Sequence, residues 1–304
     1  MSLPPPNASA LADSQFRPLQ RQGTGWGWGQ LTLGRDPLVL TAMMAPAAVV
    51  FGAFFLLPML RLFLIGGSGA EGWGAYASII TNPRHLESLV STVLLSAGVT
   101  LVTLVVSTVA GLFLVRNRFP GRSLLNAMLT FPLAFPGVVI GFMVIMLAGR
   151  QGLIGDLTFK LAGSKLVFAY SMAGLFLGYV YFSIPRVILT IMASAEKLDP
   201  RLEEAARSLG ARPWQVVGHV ILPALKPAFL SAGAVCFATA MGAFGTAFTL
   251  ATRIDVLPMT IYTEFTLAAN IAMAAALSFV LGAVTWAALA VARSFAGTSV
   301  AAAG

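Results

Sequence analysis

The polar side chains that could do chemistry in this sequence gather in one short stretch, "EEAARSLGAR". Glu203, Glu204, Arg207 and Arg212 fall within these ten residues, in a chain where charged residues make up only 10% of the total. Carboxylates beside guanidinium groups can form charge-assisted hydrogen bonds with the oppositely charged groups of another protein. The stretch therefore favours docking over catalysis.

The other residues that could act in catalysis do not combine into a site. His85 and His219 lie in different loops on opposite faces, and the lone Cys236 lies inside an apolar run, so no Cys/His cluster has metal-ligand spacing. No Gly-Lys dipeptide occurs, which excludes the GxxxxGK[ST] loop that cradles phosphates. We therefore expect no metal, no cofactor and no enzymatic activity in this chain. Any ATP hydrolysis must belong to a separate subunit.

The composition places this stretch in a membrane protein. Hydrophobic residues make up 58% of the chain and its mean hydropathy is +0.85, which leaves too little polar surface to cover a soluble globule. The net charge of +8 is explained by basic loop residues and predicts no nucleic-acid partner.

Six stretches lack any charged residue or histidine, and each reaches the roughly 20 residues that a helix needs to cross a bilayer. They are Leu38–Leu60, Ser88–Val115, Ser123–Gly149, Leu166–Pro185, Pro227–Thr252 and Phe265–Ala292. They lack the apolar/polar alternation of barrel strands, so the prediction is an all-α protein with six transmembrane helices.

The distribution of Lys and Arg predicts the orientation. With the N-terminus inside, the 19 basic residues split 13 to 6 in favour of the cytoplasmic side, and Arg186 is counted on that side. We expect both termini in the cytoplasm. Residues 1–37, rich in Pro, Gly and polar side chains, are predicted to form a flexible tail.

The charged stretch falls in the loop of about 40 residues from Arg186 to Lys226. Asp199 can cap a helix that begins at Pro200, and Gly210 suits the left-handed residue that ends it. Pro213 can begin a second helix, so the loop is predicted to be a helix-turn-helix beside the membrane. Its small Ala205 and Ala206, with acidic Glu203 and Glu204 facing a partner's basic residues, suit a docking surface better than a lipid anchor.

This loop resembles the EAA loop of membrane subunits of bacterial ABC importers. That pattern is Glu-Ala-Ala, three residues, Gly, nine residues, Ile, one residue, Leu-Pro. Six positions match in register, and Val220 stands where the family has Ile. The matching residues, with the adjacent Glu203, are the predicted ATPase-coupling residues: Glu203, Glu204, Ala205, Ala206, Gly210, Leu222 and Pro223.

The resemblance continues from the second span to the last, through "LAFPGVVIG", "GRQGLIGDL", "GAFGTAFTLA" and "VLPMTIY". It is similar to the permeases of polyamine, 2-aminoethylphosphonate and ferric-ion importers. The resemblance implies a type I importer fold, with a first transmembrane helix at 38–64, a permease core at 86–293 that contains the coupling loop at about 194–224, and a C-terminal tail at 294–304.

The same resemblance implies the partners of a binding-protein-dependent transporter in the bacterial inner membrane. These are two cytoplasmic ATPase subunits, a second permease subunit that is not identical, and an extracytoplasmic solute-binding protein. The loop would then be a coupling helix seated in a cleft of the ATPase.

Several residues are candidates for the translocation path. Helix breakers in "FPLAFPG" and "MGAFGTAF" can line a cavity in the membrane, although kinks that aid packing are an alternative for either one alone. A hydroxyl stripe from Thr92 to Ser107 could line a pore, but such stripes more often mediate helix contacts. The candidates are Thr100, Thr103, Pro136, Tyr170, Tyr181, Gly242, Phe244 and Gly245.

The substrate is a small solute, for which the resemblance favours a polyamine or a related amine or phosphonate, with ferric ion as an alternative. The spans contain no Asp or Glu, and Asp255 and Glu264 are placed at the outer mouth, where they could attract a cation. A secondary transporter and a non-transporting membrane scaffold are the competing functions. The first normally needs buried ionisable residues or repeated halves, and the second has little use for a spaced docking loop.

Overall fold

A computed structural model describes residues 37–250 and 254–296. The predicted tails at 1–37 and 294–304 therefore lie almost entirely outside the described residues. The chain divides into two compact units, Met1–Leu57 and Pro58–Gly304. In the first unit, α1 (Pro37–Phe51) leads into a π-helical turn at Gly52–Leu56, and α2 (Leu57–Gly66) begins at its last residue.

The described residues of the second unit form helices joined by turns and loops. Most helices begin or end at Pro, Gly or Asn, which either fit the first helical turn or terminate a helix. After α2 the helices are α3 (Gly74–Thr81), α4 (Pro83–Arg116), α5 (Arg122–Thr130), α6 (Gly137–Ala148), α7 (Leu153–Ala162), α8 (Met172–Ala195), α9 (Pro200–Ser208), α10 (Pro213–Val216), α11 (Leu222–Ala224), α12 (Lys226–Met241), α13 (Phe244–Leu250), α14 (Leu257–Thr266) and α15 (Ile271–Ala296).

Five helical segments of the described chain are long and apolar enough to cross a membrane, and a bent pair makes a sixth. The five are Met43–Gly66, Pro83–Arg116, Gly137–Ala162, Met172–Ala195 and Ile271–Phe295. The bent pair, Pro213–Ala224 with Lys226–Met241, turns by 66°. The predicted all-helical membrane fold is confirmed, but several span limits differ from the prediction.

The third span, predicted over Ser123–Gly149 with helix breakers in "FPLAFPG", is interrupted at those breakers. After α5 the chain makes a 3-10 turn at Phe131–Ala134, and α6 begins only after Pro136, which has φ −62° and ψ 151°. Pro132 and Pro136 lack the N–H that an α-helix needs, and each restricts the residue before it. The candidate span begins at Gly137 and continues into the segment that was predicted to be a loop after Arg150.

The fourth span also lies further along the chain than predicted. The prediction ended it at Pro185, because a charged residue follows, but α8 continues through Pro185 and Arg186 to Ala195. Arg186 therefore lies inside the span, and its assignment to a cytoplasmic loop is wrong. The predicted fifth and sixth spans are each interrupted as well, at Gly242–Ala243 and between α14 and α15.

The hydroxyl stripe of α4 is buried against neighbouring helices. Ser88 and Thr260 share a hydrogen bond of 2.7 Å between their hydroxyl oxygens, and Thr92 Oγ1 accepts one of 2.7 Å from the Leu257 N–H. Thr103 and Ser107 are fully buried. The main apolar core lies between α4, α6, α8, α12 and α13, and it includes Val99, Leu175, Ile191 and Ala247.

Candidate coupling loop and translocation path

The first helix of the loop begins as its sequence predicts. The Asp199 carboxylate accepts a hydrogen bond of 3.0 Å from the Arg201 N–H, and Pro200 occupies the first helical turn, where its missing N–H has no partner to lose. α9 ends at Ser208, and Gly210 follows with φ +85°. The predicted cap and the predicted left-handed glycine are both present.

The second part of the loop is less regular than a single helix. α10 starts at Pro213, passes through a π-helical turn at Val217–Ile221 and continues into the short α11. At its start, Gln215 Oε1 accepts a hydrogen bond of 2.7 Å from the Arg212 N–H. The predicted helix-turn-helix is therefore confirmed, with a π-bulge in its second helix.

The loop is attached to the spans by its own small apolar core. Val216, Ile221 and Leu225 are nearly inaccessible to solvent and pack with Ala195 at the end of α8. This cluster, which we call the loop core, also contacts Leu112 and Val115 at the end of α4 together with Leu198, Ala206, Ala211, Val220 and Phe229. The loop core therefore packs the loop against α4, α8 and α12.

A salt bridge adds to this attachment. Glu203 accepts a hydrogen bond from Arg116, the last residue of α4. This pairing within the chain differs from the prediction that Glu203 faces a partner's basic residues. Glu204 is exposed and has no ion-pair partner among the residues that the structure describes.

The exposed residues of the loop are apolar as well as acidic. Leu209 is 89% exposed and Trp214 is 63% exposed, and Leu202 is exposed beside them in sequence. Large apolar side chains exposed together mark an interaction surface. Leu209 and Trp214 were not among the predicted coupling residues. The sequence offered a signal for both residues, because they flank the Gly210 turn and so lie at helix ends, where they are not covered by a helix.

The two breaks in the membrane helices lie against each other. Thr246 Oγ1 donates a hydrogen bond of 2.9 Å to the Gly137 carbonyl, which directly follows Pro136. A Cβ atom at Gly245 would come within 3.0 Å of the Val138 nitrogen. Tyr179 from α8 donates a hydrogen bond to the Ala243 carbonyl at the second break. Irregular backbone within a membrane needs such partners, because no water is present to satisfy it.

An aromatic cluster lies beside the second break. The rings of Phe244, Phe248 and Tyr262 have centroids 5.3 to 5.4 Å apart. Phe244, Tyr262 and Gly242 line one cavity of about 340 Å³ together with Pro258, Ile261, Phe265 and Leu281. The structure thus brings two of the predicted path residues, Gly242 and Phe244, to one cavity and adds Tyr262, which the sequence analysis missed.

The other predicted path residues are dispersed. Thr100 Oγ1 donates to the Ser96 carbonyl at 2.7 Å, and Thr103 is fully buried with no hydrogen-bond partner for its hydroxyl among the described residues. Tyr170 packs against the main core, whereas Tyr181 is 39% exposed. Neither the two threonines nor the two tyrosines line the aromatic cavity.

The two acidic residues predicted at the outer mouth have different surroundings. Asp255 is exposed, whereas Glu264 is partly buried with its carboxylate 3.8 Å from His85 Nε2. Within the described part of the chain, no group of three or more His, Cys, Asp or Glu side chains could hold a metal ion. A different charged residue, Arg186, lines a separate cavity between α8 and α12.

Comparison with known proteins decides the family. The model of the family "Binding-protein-dependent transport system inner membrane component" matches residues 104–298, more than half of the chain. The chain belongs to this family. It is therefore a transport component and not an enzyme, and its resemblance to ABC importer permeases is confirmed.

The curated relatives are permeases with several substrates. The chain is 34% identical over 193 residues to the molybdenum transport system permease protein ModB of Escherichia coli (61% of this chain, 81% of ModB). It is 33% identical over 223 residues to sulfate permease 2 of Chlamydomonas reinhardtii (73% of this chain), and 27% identical over 244 residues to a putative 2-aminoethylphosphonate permease, PhnU, of Salmonella typhimurium (78% of this chain). The matched segment spans 59% of the Chlamydomonas protein.

Solved structures confirm the fold. A bacterial alginate ABC transporter matches 88% of this chain and 96% of its own chain, with a TM-score of 0.71 and 17% identity. That structure is a complex with a periplasmic protein bound to an alginate pentasaccharide. At this identity the likeness concerns the fold alone.

Proposed function

We propose that this chain is a permease subunit of an ATP-binding cassette importer, and that the loop from Asp199 to Ala224 couples ATP hydrolysis in separate subunits to movement of the spans. The observation that carries the proposal is the two-sided construction of the loop. Its inner side is packed into the loop core and paired with Arg116, while Glu204, Leu209 and Trp214 face outward. A rigid element held on one side and open on the other suits transfer of a domain movement.

The proposed assembly contains two ATPase subunits, a second, non-identical permease subunit and a solute-binding protein outside the membrane. Both termini and the loop lie on the cytoplasmic side of a bacterial inner membrane, as the basic residues favour. The chain itself carries no cofactor. Residues 1–37 and 294–304 are proposed as tails, 38–64 as a first membrane helix and 86–293 as the permease core.

The substrate is a small solute taken from the binding protein. The six uncharged stretches of the sequence contain no Asp or Glu, which disfavours a polyamine, since a cation inside a membrane normally pairs with an acidic group. The names of the relatives include a phosphonate, sulfate and molybdenum. A phosphonate or another small anion is therefore the better supported substrate than a polyamine or ferric ion.

Cysteine cross-linking in the assembled transporter tests this function. In a background with Cys236→Ala, Leu209→Cys should cross-link to an ATPase subunit and should react with a membrane-impermeant maleimide only in inverted vesicles. The matched control is Leu267→Cys, which is 76% exposed in the turn between α14 and α15 and should react only from the other side. Reaction of Leu209→Cys from the outside, or failure to recover any ATPase subunit with the chain, would contradict the proposal.

A further inference from the structure

Arg186 is a charged residue inside α8, one of the helices long and apolar enough to cross a membrane. It lies nine positions before Ala195, the end of α8. At a rise of about 1.5 Å per residue, this places its Cα about 14 Å from the end of the helix. An ionisable residue at such a position is costly to bury and normally marks a substrate or ion pathway.

The surroundings of Arg186 leave its charge without a counter-ion. Its guanidinium lies 5.1 Å from the centroid of the Phe182 ring, and one nitrogen donates a hydrogen bond of 3.3 Å to Thr239 Oγ1. Among the described residues no carboxylate lies within 4.0 Å of it. An arginine has five N–H donors, so most of them are free to bind a ligand.

The free guanidinium donors border a cavity between α8 and α12. The cavity has a volume of about 130 Å³, whereas one water molecule needs about 10–15 Å³. Its walls are formed by Ser183, Arg186, Val187, Thr190, Ser231, Ala232, Val235 and Cys236. Ser183 is buried, and its hydroxyl has no hydrogen-bond partner within the described residues, so it is a second free donor beside Arg186.

We infer that Arg186 and Ser183 form an oxyanion-binding site in the translocation path, which a small oxyanion occupies during transport. The inference rests on the proposed function and gives its substrate class. The planar guanidinium can donate two parallel hydrogen bonds to two oxygens of one anion, and the serine hydroxyl can donate a third. Val187 and Val235 give the site apolar walls, which strengthen the attraction between charges, and the absence of an acidic residue excludes a cation.

Transport assays on the complete complex test the site. The chain is reconstituted into proteoliposomes with its own ATPase, permease and binding-protein partners, and uptake of radiolabelled sulfate, molybdate and 2-aminoethylphosphonate is measured beside radiolabelled putrescine. The wild type should take up at least one of the three oxyanions and no putrescine. Arg186→Gln should reduce oxyanion uptake by about 10- to 100-fold, the range expected for hydrogen bonds to a charged group.

Two further variants separate binding from assembly. Ser183→Ala should raise the oxyanion concentration for half-maximal uptake by about 2- to 10-fold and leave the maximal rate unchanged. Arg186→Lys keeps the charge but loses the planar guanidinium that donates two parallel hydrogen bonds. Its oxyanion uptake should therefore fall between those of the wild type and Arg186→Gln. The matched control, Arg118→Gln, alters an exposed loop arginine and should behave as the wild type.

The outcomes distinguish the site from the function. If ATPase subunits still copurify, any one of three results overturns the site. These are uptake of putrescine, no uptake of any of the three oxyanions, and unchanged oxyanion half-saturation in both Arg186→Gln and Ser183→Ala. A further pattern is that Arg186→Gln loses the second permease subunit while Ser183→Ala keeps the wild-type half-saturation. This result would show that Arg186 pairs with a carboxylate of that subunit, and it would also overturn the site. Absence of ATPase subunits from the wild-type complex instead overturns the proposed function.

Discussion

The loop from Asp199 to Ala224 and the paired helix breaks at Pro136 and Gly242 are both departures from long membrane helices, but they face in opposite directions. The loop exposes Leu209 and Trp214 to its surroundings. The breaks turn inward, where Thr246 and Tyr179 bind the carbonyls of Gly137 and Ala243. An irregular segment outside the bilayer can leave groups open for a partner, whereas one inside it must satisfy its backbone within the protein.

This contrast predicts that surface charge decides the function of the loop, while close packing decides the integrity of the breaks. Changes in the loop should alter coupling without altering stability. Changes at the breaks should alter stability without altering coupling.

The largest effect is expected from Glu204→Lys. Reversing the exposed carboxylate would place a positive charge against the basic residues of the ATPase, and like charges facing each other at an interface cost several kcal/mol. ATPase binding and ATP-driven uptake should fall by about 100-fold or more, since each 1.4 kcal/mol is a factor of ten. Binding is measured by titration of purified subunits, and uptake in proteoliposomes.

The control for this change is Glu87→Lys, another exposed glutamate, which lies near the start of α4. It should leave ATPase binding at the wild-type value. Equal binding by the wild type and Glu204→Lys would remove Glu204 from the docking surface.

The next effect is expected from Gly210→Ala. Gly210 has φ +85°, and a Cβ there would meet no atom within 4 Å, so the substitution acts through backbone strain alone. A left-handed conformation costs a non-glycine residue about 1–2 kcal/mol, so α9 should be displaced and uptake per ATP hydrolysed should fall about 5- to 30-fold.

Gly218→Ala provides the matched comparison, since its Cβ also meets no atom within 4 Å and its φ is not positive. Its ratio of uptake to hydrolysis should stay within about twofold of the wild type, because such surface changes usually cost no more than about 0.5 kcal/mol. A similar loss of uptake per ATP hydrolysed in both variants would mean that backbone flexibility in the loop, and not the left-handed turn at Gly210, is required for coupling.

An effect on stability, with coupling unchanged, is expected from Gly245→Ala. The added methyl would lie 3.0 Å from the Val138 nitrogen and 3.2 Å from its Cγ2, so the two breaks must separate. Overpacking of this kind costs about 1–3 kcal/mol, and the detergent-solubilised complex should unfold at a lower temperature. Gly74→Ala, where a Cβ meets nothing within 4 Å, should unfold with the wild type.

The smallest effect is expected from Asp255→Asn. Asp255 is exposed, so it acts only through a field that salt screens within about 8 Å at physiological ionic strength. An anionic substrate should enter slightly faster once this charge is removed, by less than about twofold, and only at low salt. Slower uptake at low salt would instead indicate a cationic substrate, as the mouth residues suggested from the sequence alone.

The local signals of the loop were readable from the sequence because each depends on a few neighbouring residues. Asp199 caps, Pro200 and Pro213 begin helices, and Gly210 takes a conformation that few other residues tolerate. The partner of Glu203 was not readable, since Arg116 lies 87 residues away along the chain. Local chemistry defined the shape of the loop, and folding selected which of its two adjacent carboxylates stays free.

The sequence by itself determined that this is a helical membrane protein with a structured loop, because apolar runs of membrane length have no other stable fold in a bilayer. Only the tertiary structure decided where the spans begin and end. Arg186 was read as the end of a span because a lone charge is costly in lipid, but α12 supplies Thr239, which accepts a hydrogen bond from Arg186, and one wall of the cavity beside it. The cost of burying a charge depends on which neighbours fold against it, and a linear sequence does not contain those distances.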